Sequence, residues 1–504
     1  MTTPVSSTLA VSSRAKTGVA GLDEVLCGGL PRNRLYLIQG MPGVGKTTLA
    51  LQFLLEGVRQ GEPVLYITLS ETKEELLEVA DSHQWDLSGV TLFELSALEE
   101  RLKGEVDTTF FHPSEIELQR TTQAYLEEVE RVKPIRLVFD SLSEMRMLAE
   151  TPLRYRRQIL QLKQFFAGRK CTVLMLDDCS SSDHDLQIES LAHGVIQLTR
   201  SVVDYGTPRR QVTVQKIRGL KYREGHHDFI MRTGGVEVFP RLVAADLRAN
   251  TALEAMPSGI GQLDTLLAGG LDRGTSTMFM GPPGTGKSTL ALKFCHEAAR
   301  RGEKALYYTF DETLPILHAR TRMLGIDLRP SIDQGLLKII PIDPAEISPG
   351  ELAWRIQRAV LDEKVRVVAL DSLNGYMNAM PEERYLQLQL HELLSFLNQH
   401  GVATLLVLAQ QGLIGSMTST VDLTYLADTV VLFRYYEMRG AVRQAVSVIK
   451  KRSGNHERTI REITISAKGI EVSEPLKEFH GVLSGIPQLP SAPGRGPTVQ
   501  AAHA

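Results

Sequence analysis

Short runs that are apolar at almost every position alternate with longer stretches of mixed polarity, and the alternation occurs twice along the chain. Leu35 to Ile38, Val64 to Leu69 (VLYITL), Arg136 to Asp140 (RLVFD) and Cys171 to Asp178 (CTVLMLDD) form one series. Met278 to Met280, Ala305 to Phe310 (ALYYTF), Arg366 to Asp371 (RVVALD) and Val402 to Gln410 (VATLLVLAQ) form the other. A run without polar alternation fits a parallel strand covered on both faces. Stretches of helical character lie between the runs, as at Arg154 to Phe166 and Glu383 to Gln399. Late in each series the strand signals become consecutive, in ESLAHGVIQLTR with QVTVQKIRG and in YLADTVVLFRYY with AVSVIKKRS. Strands alternating with helices and then a run of strands predict an α/β fold, with a mostly parallel central sheet flanked by helices and an antiparallel edge.

The two series are in register. TGVAGLDEVLCGGL in the first matches SGIGQLDTLLAGGL in the second, and the same interval separates Asp23 from Asp264 and Gly40 from Gly281. A self-match held without a gap over about fifty residues indicates duplication of a whole domain, far longer than a solenoid repeat. The expected organisation is a disordered Ser/Thr-rich arm over 1–14, tandem domains over 15–246 and 247–487, and a disordered Pro/Gly/Ala-rich tail over 488–504.

Composition changes this picture little. The 504 residues carry a formal net charge of −3, with 43% hydrophobic and 23% charged positions, so the chain has no bulk attraction to nucleic acid or an anionic membrane. The four cysteines show no CxxC or other metal spacing, which suits a reducing cytoplasm. No signal-peptide h-region opens the chain and no run of about 18 apolar residues occurs in it, so a cytoplasmic location is expected.

The chemistry is concentrated where the first apolar run of each series ends. Gly40-Met41-Pro42-Gly43-Val44-Gly45-Lys46-Thr47, followed by Thr48, and Gly281-Pro282-Pro283-Gly284-Thr285-Gly286-Lys287-Ser288, followed by Thr289, both have the spacing GxxxxGK[ST]. Glycines there let backbone N–H groups turn around phosphates, the lysine reaches the β/γ oxygens, and the Thr47 or Ser288 hydroxyl ligates Mg²⁺. The helix that follows points its positive end at the same anion. Asp140 and Asp371, each ending an apolar run and followed by serine, read as Walker B aspartates that hold Mg²⁺. An isolated aspartate after a strand would equally suit a helix cap; its pairing with each phosphate loop favours the metal role. ATP and Mg²⁺ are therefore the expected ligands of both copies.

Together these motifs, with carboxylates after the next strand (Ser70-Glu71; Asp311-Glu312), a late K-x-R and the closing EFHGVLSGIP, resemble the KaiC family, tandem RecA-like ATPases and autokinases of the circadian clock. The likeness spans roughly residues 15 to 486. It implies a homo-hexameric double ring with ATP at subunit interfaces, hydrolysis in the first ring, Ser/Thr autophosphorylation in the second, and regulatory protein partners. It also implies that Lys216 with Arg218, and Lys450 with Arg452, contact phosphate across the interface, as an arginine finger does. The family places two adjacent glutamates after the strand to polarise the attacking water or hydroxyl. Here Ser70 and Asp311 stand at the first position, and Glu71 and Glu312 at the second. Serine cannot act as a carboxylate base, so hydrolysis in the first copy rests on Glu71. The family's adjacent acceptors precede an Asp-Thr pair; Asp428-Thr429 puts Thr424 and Tyr425 there, leaving Thr424 as the phosphoacceptor. The matching stretch of the first copy, Glu189-Ser190 before His193-Gly194, holds no acceptor pair.

Two other readings compete. A RecA/RadA-type DNA-dependent ATPase needs basic or aromatic loops facing a ring channel, whereas DDCSSSDHDLQIES is acidic and QQGLIGSMTSTVDLT nearly uncharged. DNA is thus not an expected partner. A nucleotide-stabilised hexameric scaffold with little turnover is the other alternative, kept open by Ser70.

Overall fold

The computed structural model describes residues 14–94, 113–178, 186–202, 206–243, 254–378, 385–410 and 423–477. The expected arm up to Ser13, the tail and EFHGVLSGIP lie outside those residues. The chain divides into two compact units, Met1–Arg241 and Leu242–Ala504.

In the first unit a nine-stranded sheet runs, from one edge, Thr91–Glu94, Val64–Thr68, Arg136–Asp140, Thr172–Asp178, Leu35–Gly40, Gly194–Ser201, Arg209–Ile217, His226–Arg232, Gly235–Phe239. The first six are mutually parallel and the last three continue antiparallel. The second unit repeats the order: Leu337–Pro341, Ala305–Thr309, Val367–Asp371, Ala403–Ala409, Ser276–Gly281, Thr429–Met438, then the antiparallel Ala441–Lys451, Ile460–Ser466 and Gly469–Pro475. Each unit is thus the expected mostly parallel sheet with an antiparallel edge.

The apolar runs explain the layering. Successive side chains of a strand face opposite sides, and in the first unit they feed two cores. Tyr36, Ile38, Tyr66, Val138 and Leu174 join one with helix Lys46–Arg59. Leu37, Leu65, Ile67, Leu137 and Met175 join the other with helices Pro113–Val132 and Pro152–Phe166. The second unit divides in the same way, with Met278, Leu306 and Val368 on one side and Phe279, Tyr307 and Ala369 on the other. The polar start of one run is also accounted for. Arg136 is fully buried, ion-paired with Glu62 at 2.5 Å and donating to the Lys16 and Phe53 carbonyls, as a charge beneath a sheet must be.

One expectation needs correction: ESLAHGVIQLTR is not strand throughout. Leu186–Leu191 is helical and the strand starts at Gly194. The helix sends Ile188 into the core, and Ala192 follows it there, a packing gain that overrides the β-branched character of the segment.

Candidate functional site

Both phosphate loops sit at the C-terminal ends of parallel strands, the crevice in which open α/β sheets bind ligands. Gly45 and Gly286 cap the following helices in the left-handed region, at φ 112° and 95°. A Cβ at Gly286 would lie 2.2 Å from Ile465 Cδ1, and one at Gly45 would lie 2.8 Å from Met231 Sδ, so a side chain meets both strain and a clash at either position.

In the first unit Lys46 is buried and donates to the Gly40 carbonyl at 2.8 Å and the Met41 carbonyl at 3.2 Å. It also forms an ion pair with Asp178 at 2.6 Å. Thr47 Oγ1 donates to Asp140 Oδ2 at 3.4 Å, and the Tyr66 hydroxyl donates to the same oxygen at 2.5 Å. Burial raises the Asp140 carboxyl, with the Tyr66 hydrogen bond and Lys46 pulling the other way. Glu71 is anchored by its backbone, whose N–H donates to Thr68 Oγ1 while its carbonyl accepts from the same hydroxyl. Its Oε2 is buried without a hydrogen-bond partner. Burial first, then the Asp140 charge, push this carboxyl up to about 7. A carboxyl poised near neutral pH beside Asp140 suits proton abstraction. Ser70 adds no carboxylate.

The second unit builds the same frame with different partners. Lys287 donates to the Pro282 carbonyl at 2.6 Å, and burial pushes its amine down to about 8. Ser288 Oγ donates to Asp371 Oδ1 at 3.1 Å, and the Tyr307 hydroxyl donates to Asp371 Oδ2. Asp311 accepts from Ser372 Oγ at 2.5 Å. Glu312 is bound at both oxygens by Arg320, at 3.0 and 2.7 Å, and Arg320 also donates to Thr289 Oγ1 at 2.6 Å. Lys287, Ser288, Asp311, Glu312, Arg320 and Asp371 line one cavity of about 500 Å³.

Each loop sets one hydroxyl, Thr47 or Ser288, against one strand-end aspartate, Asp140 or Asp371, and no group of three metal-ligating side chains occurs among the described residues. That donor set fits Mg²⁺, which keeps most of its waters and takes further oxygens from nucleotide phosphates. It does not fit an all-protein metal cage.

The K-x-R pairs and Thr424 lie at the opposite end of the sheet. The Asp428 N–H donates to the Ser276 carbonyl, and Asp428 Oδ2 accepts from the Ser276 backbone N–H and hydroxyl. This segment is thereby fixed beside the start of strand Ser276–Gly281, whose end opens the phosphate loop. At a rise of about 3.3 Å per residue, five residues along that strand are about 16 Å. Lys450 Nζ donates to the Thr424 and Ala427 carbonyls at 3.0 and 2.7 Å, and Arg452 Nη1 lies 3.8 Å from Asp428 Oδ1. In the first unit Lys216 and Arg218 donate to the Glu189 and Ser190 carbonyls. His193 accepts there from the N–H of Leu35, at the start of the loop-bearing strand. Neither pair reaches the phosphate loop of its own unit.

The profile of the KaiC ATPase family matches residues 15–243 and 256–477, nearly the whole chain in two copies. The chain belongs to the KaiC family. Among similar proteins are the "Circadian clock oscillator protein KaiC" of Picosynechococcus sp., 26% identical over 94% of this chain and 92% of that one, and that of Thermosynechococcus vestitus, 27% identical over 96% and 93%. The protein of the same name from Prochlorococcus marinus is 28% identical over 94% and 95%. The KaiC fold and tandem ATPase domains thus extend along the chain. Among the described residues, no helix is long and apolar enough to cross a membrane.

Four side chains at these KaiC-type sites escaped the sequence reading. Tyr66 and Tyr307 were legible in principle, since they occupy matching places in VLYITL and ALYYTF. Asp178 stood at the end of an apolar run, where a carboxylate reaches the ligand crevice. Arg320 left no periodic signal, because Val79 takes its place in the first copy.

Proposed function

We propose that this KaiC-family ATPase binds Mg-ATP at both units, hydrolyses it at the first with Glu71 as base, and uses the second to phosphorylate Thr424 of a neighbouring subunit in a homo-hexameric ring. The observation that carries the hydrolytic part is Glu71 itself, a buried carboxyl beside Asp140 with one unpartnered oxygen. Glu71 takes a proton from water as the water oxygen bonds to the γ-phosphorus, and the bond from that phosphorus to the β–γ bridging oxygen breaks, releasing ADP. Lys46 neutralises charge on the phosphates, and the backbone of Gly43 to Thr48 cradles them. Mg²⁺ held by Thr47 and Asp140, or by Ser288 and Asp371, supplies further charge neutralisation.

Two features favour assembly and transfer between subunits. Lys216, Arg218, Lys450 and Arg452 stand about a strand's length from the phosphate loop of their own unit, so any nucleotide they touch belongs to a neighbour. Thr424 has the same placement, and a phosphoryl group cannot cross about 16 Å, so its donor is also a neighbour's ATP. Asp311, oriented by Ser372, aligns or deprotonates the Thr424 hydroxyl, and alignment with charge neutralisation supplies most of such a transfer. The added phosphate brings about −1.5 to −2 charge close to Lys450 and Arg452. In this reading the protein is a cytoplasmic signalling or timing component read by regulatory proteins.

The test incubates wild type, Thr424→Ala and Asp311→Asn with Mg-[γ-³²P]ATP, maps the phosphate, and measures ADP release in parallel. Label at Thr424, lost in Thr424→Ala and reduced in Asp311→Asn, is expected. Label retained in Thr424→Ala would move the acceptor, with Ser419 and Thr420, outside the described residues, as the next positions. No label in wild type, with ADP still released, would leave an ATPase without kinase activity.

A further inference from the structure

Arg320 has no counterpart in the first unit. Helices Lys73–Ser82 and Leu314–Met323 have equal length and follow the caps Thr72 and Thr313. The interval that relates the phosphate loops sets Arg320 against Val79, which packs on the core. Arg320 closes a three-sided arrangement: Nε and Nη2 donate to the two oxygens of Glu312, and Nη1 donates to Thr289, in the first turn of the phosphate-loop helix. Its side chain is 24% exposed and that of Glu312 22%, so the pair is sheltered and the fork geometry gives it directionality as well as charge.

We propose that Arg320 is a positioning residue that clamps Glu312 to the second phosphate loop, withdraws it from base work, and so makes the second site hold ATP while the first site turns it over. The proposal rests on the reading of both sites as ATP sites. Glu71 and Glu312 occupy matching positions, each with its backbone tied to the threonine that ends the preceding strand, Thr68 or Thr309. Their side chains differ in one respect that bears on chemistry. Glu71 has a buried oxygen without a donor, whereas each oxygen of Glu312 already accepts from the guanidinium. For Glu312 to take a proton from water it must give up a bidentate bond and leave Arg320 partly buried without its carboxylate, a loss that Glu71, with one oxygen unpartnered and a neutral Thr47 hydroxyl beside it, does not incur. With Glu312 engaged by Arg320 and Asp371 by Ser288 and Tyr307, Asp311, which accepts from Ser372, is the remaining carboxylate lining the cavity. A site that keeps ATP intact is what a phosphoryl donor requires.

The experiment uses the full chain carrying Lys46→Ala, so that turnover reports the second site, and compares Arg320→Val, Arg320→Lys and Arg320→Val with Glu312→Gln. Bound nucleotide and ADP release are measured separately from pH 6 to 8.5. Arg320→Val is expected to raise ADP release by on the order of tenfold or more, within the range general bases contribute, with bound nucleotide unchanged. Adding Glu312→Gln should remove the gain, and Arg320→Lys, which keeps the charge but not the fork, should give a rise smaller than that of Arg320→Val. Turnover at or below the parent with nucleotide fully bound, or a gain that survives Glu312→Gln, would overturn the clamp. Should Arg320→Val not retain nucleotide, Val79→Arg in a Lys287→Ala chain decides: first-site turnover is expected to drop with nucleotide retained, and unchanged turnover overturns the proposal. If the parent itself binds no ATP, the reading of the second site fails rather than the role of Arg320.

Discussion

Glu71→Gln removes a proton acceptor from the first site while keeping its volume and leaving Lys46, Thr47 and Asp140 in place. In a chain carrying Lys287→Ala, where only the first site binds, ADP release should fall by about 10²- to 10⁴-fold, the usual contribution of a positioned base. The pH profile gives a second, sharper magnitude. Burial and the Asp140 charge put the Glu71 carboxyl at about 7, well above the ordinary value of a glutamate, so at pH 6 only about one molecule in ten carries the ionised base. The sign follows from which form works: the carboxylate is the active form, so kcat/KM should rise about tenfold per pH unit below 7 and level off above it. Part of that elevation comes from Asp140, whose charge Mg²⁺ offsets, so the profile of kcat, which reports the nucleotide-bound enzyme, should break at lower pH than that of kcat/KM. Steady-state ADP release from pH 5.5 to 8.5 measures both. A flat kcat/KM profile, or Glu71→Gln turning over at the parent rate, would refute the assignment.

Lys46→Ala and Lys287→Ala should each empty one site, leaving half of the bound nucleotide by equilibrium binding; equal loss at both sites would contradict independent loops. Because burial holds the Lys287 amine at about 8, below its unfolded value, the empty second site must take up a proton to bind ATP above that pH. Affinity in a Lys46→Ala chain should therefore fall about tenfold per pH unit between 8 and 10, and calorimetry in two buffers should register the proton uptake; constant affinity would show that Lys287 is charged throughout. Saturating Mg-ATP should bring light scattering to six times the chain mass, since a nucleotide-bridged interface is stabilised by mass action, and a monomer there would remove the trans roles of Arg218 and Arg452.

The fold was legible because its strands announce themselves on both faces. VLYITL and RLVFD have no polar alternation to misassign, and their side chains divide between two cores. The phosphate loops were legible because the glycines at 45 and 286 answer a backbone requirement, and the placement of Asp140 and Asp371 beside them because both residues end strands. What stayed hidden depended on contacts across the fold. The Asp178–Lys46 ion pair joins the end of one strand to the start of the helix that follows its sheet neighbour, segments far apart in sequence. Arg320 becomes informative only once its helix packs over the second loop. The helical Leu186–Leu191 was missed because six residues are too few for a period to declare itself, and the buried Ile188 decided the outcome.

Strand register shows how far two copies of one scaffold have diverged in handling the same lysine. Gly40 pairs with Asp178, and Gly281 pairs with Ala409, so the carboxylate that holds Lys46 is replaced by a methyl group beside Lys287. To take a nucleotide, the first site must exchange an ion pair for phosphate, and Asp178 remains close by as a competing anion. Among the described residues Lys287 has no ion pair at contact distance; the second site's cost is charging a buried amine, which the nearby Asp371 charge offsets in part while the nitrogen donates to the Pro282 carbonyl. A lysine freed from a contact ion pair is what the proposed storage of ATP in the second site requires, and a lysine paired with Asp178 is what the proposed exchange in the first requires. The carboxylates after the neighbouring strand point the same way, Glu71 with one buried oxygen that accepts no hydrogen bond and Glu312 with both oxygens bound to Arg320. Two independent differences, one at the lysine and one at the base, thus favour turnover in the first copy and storage in the second.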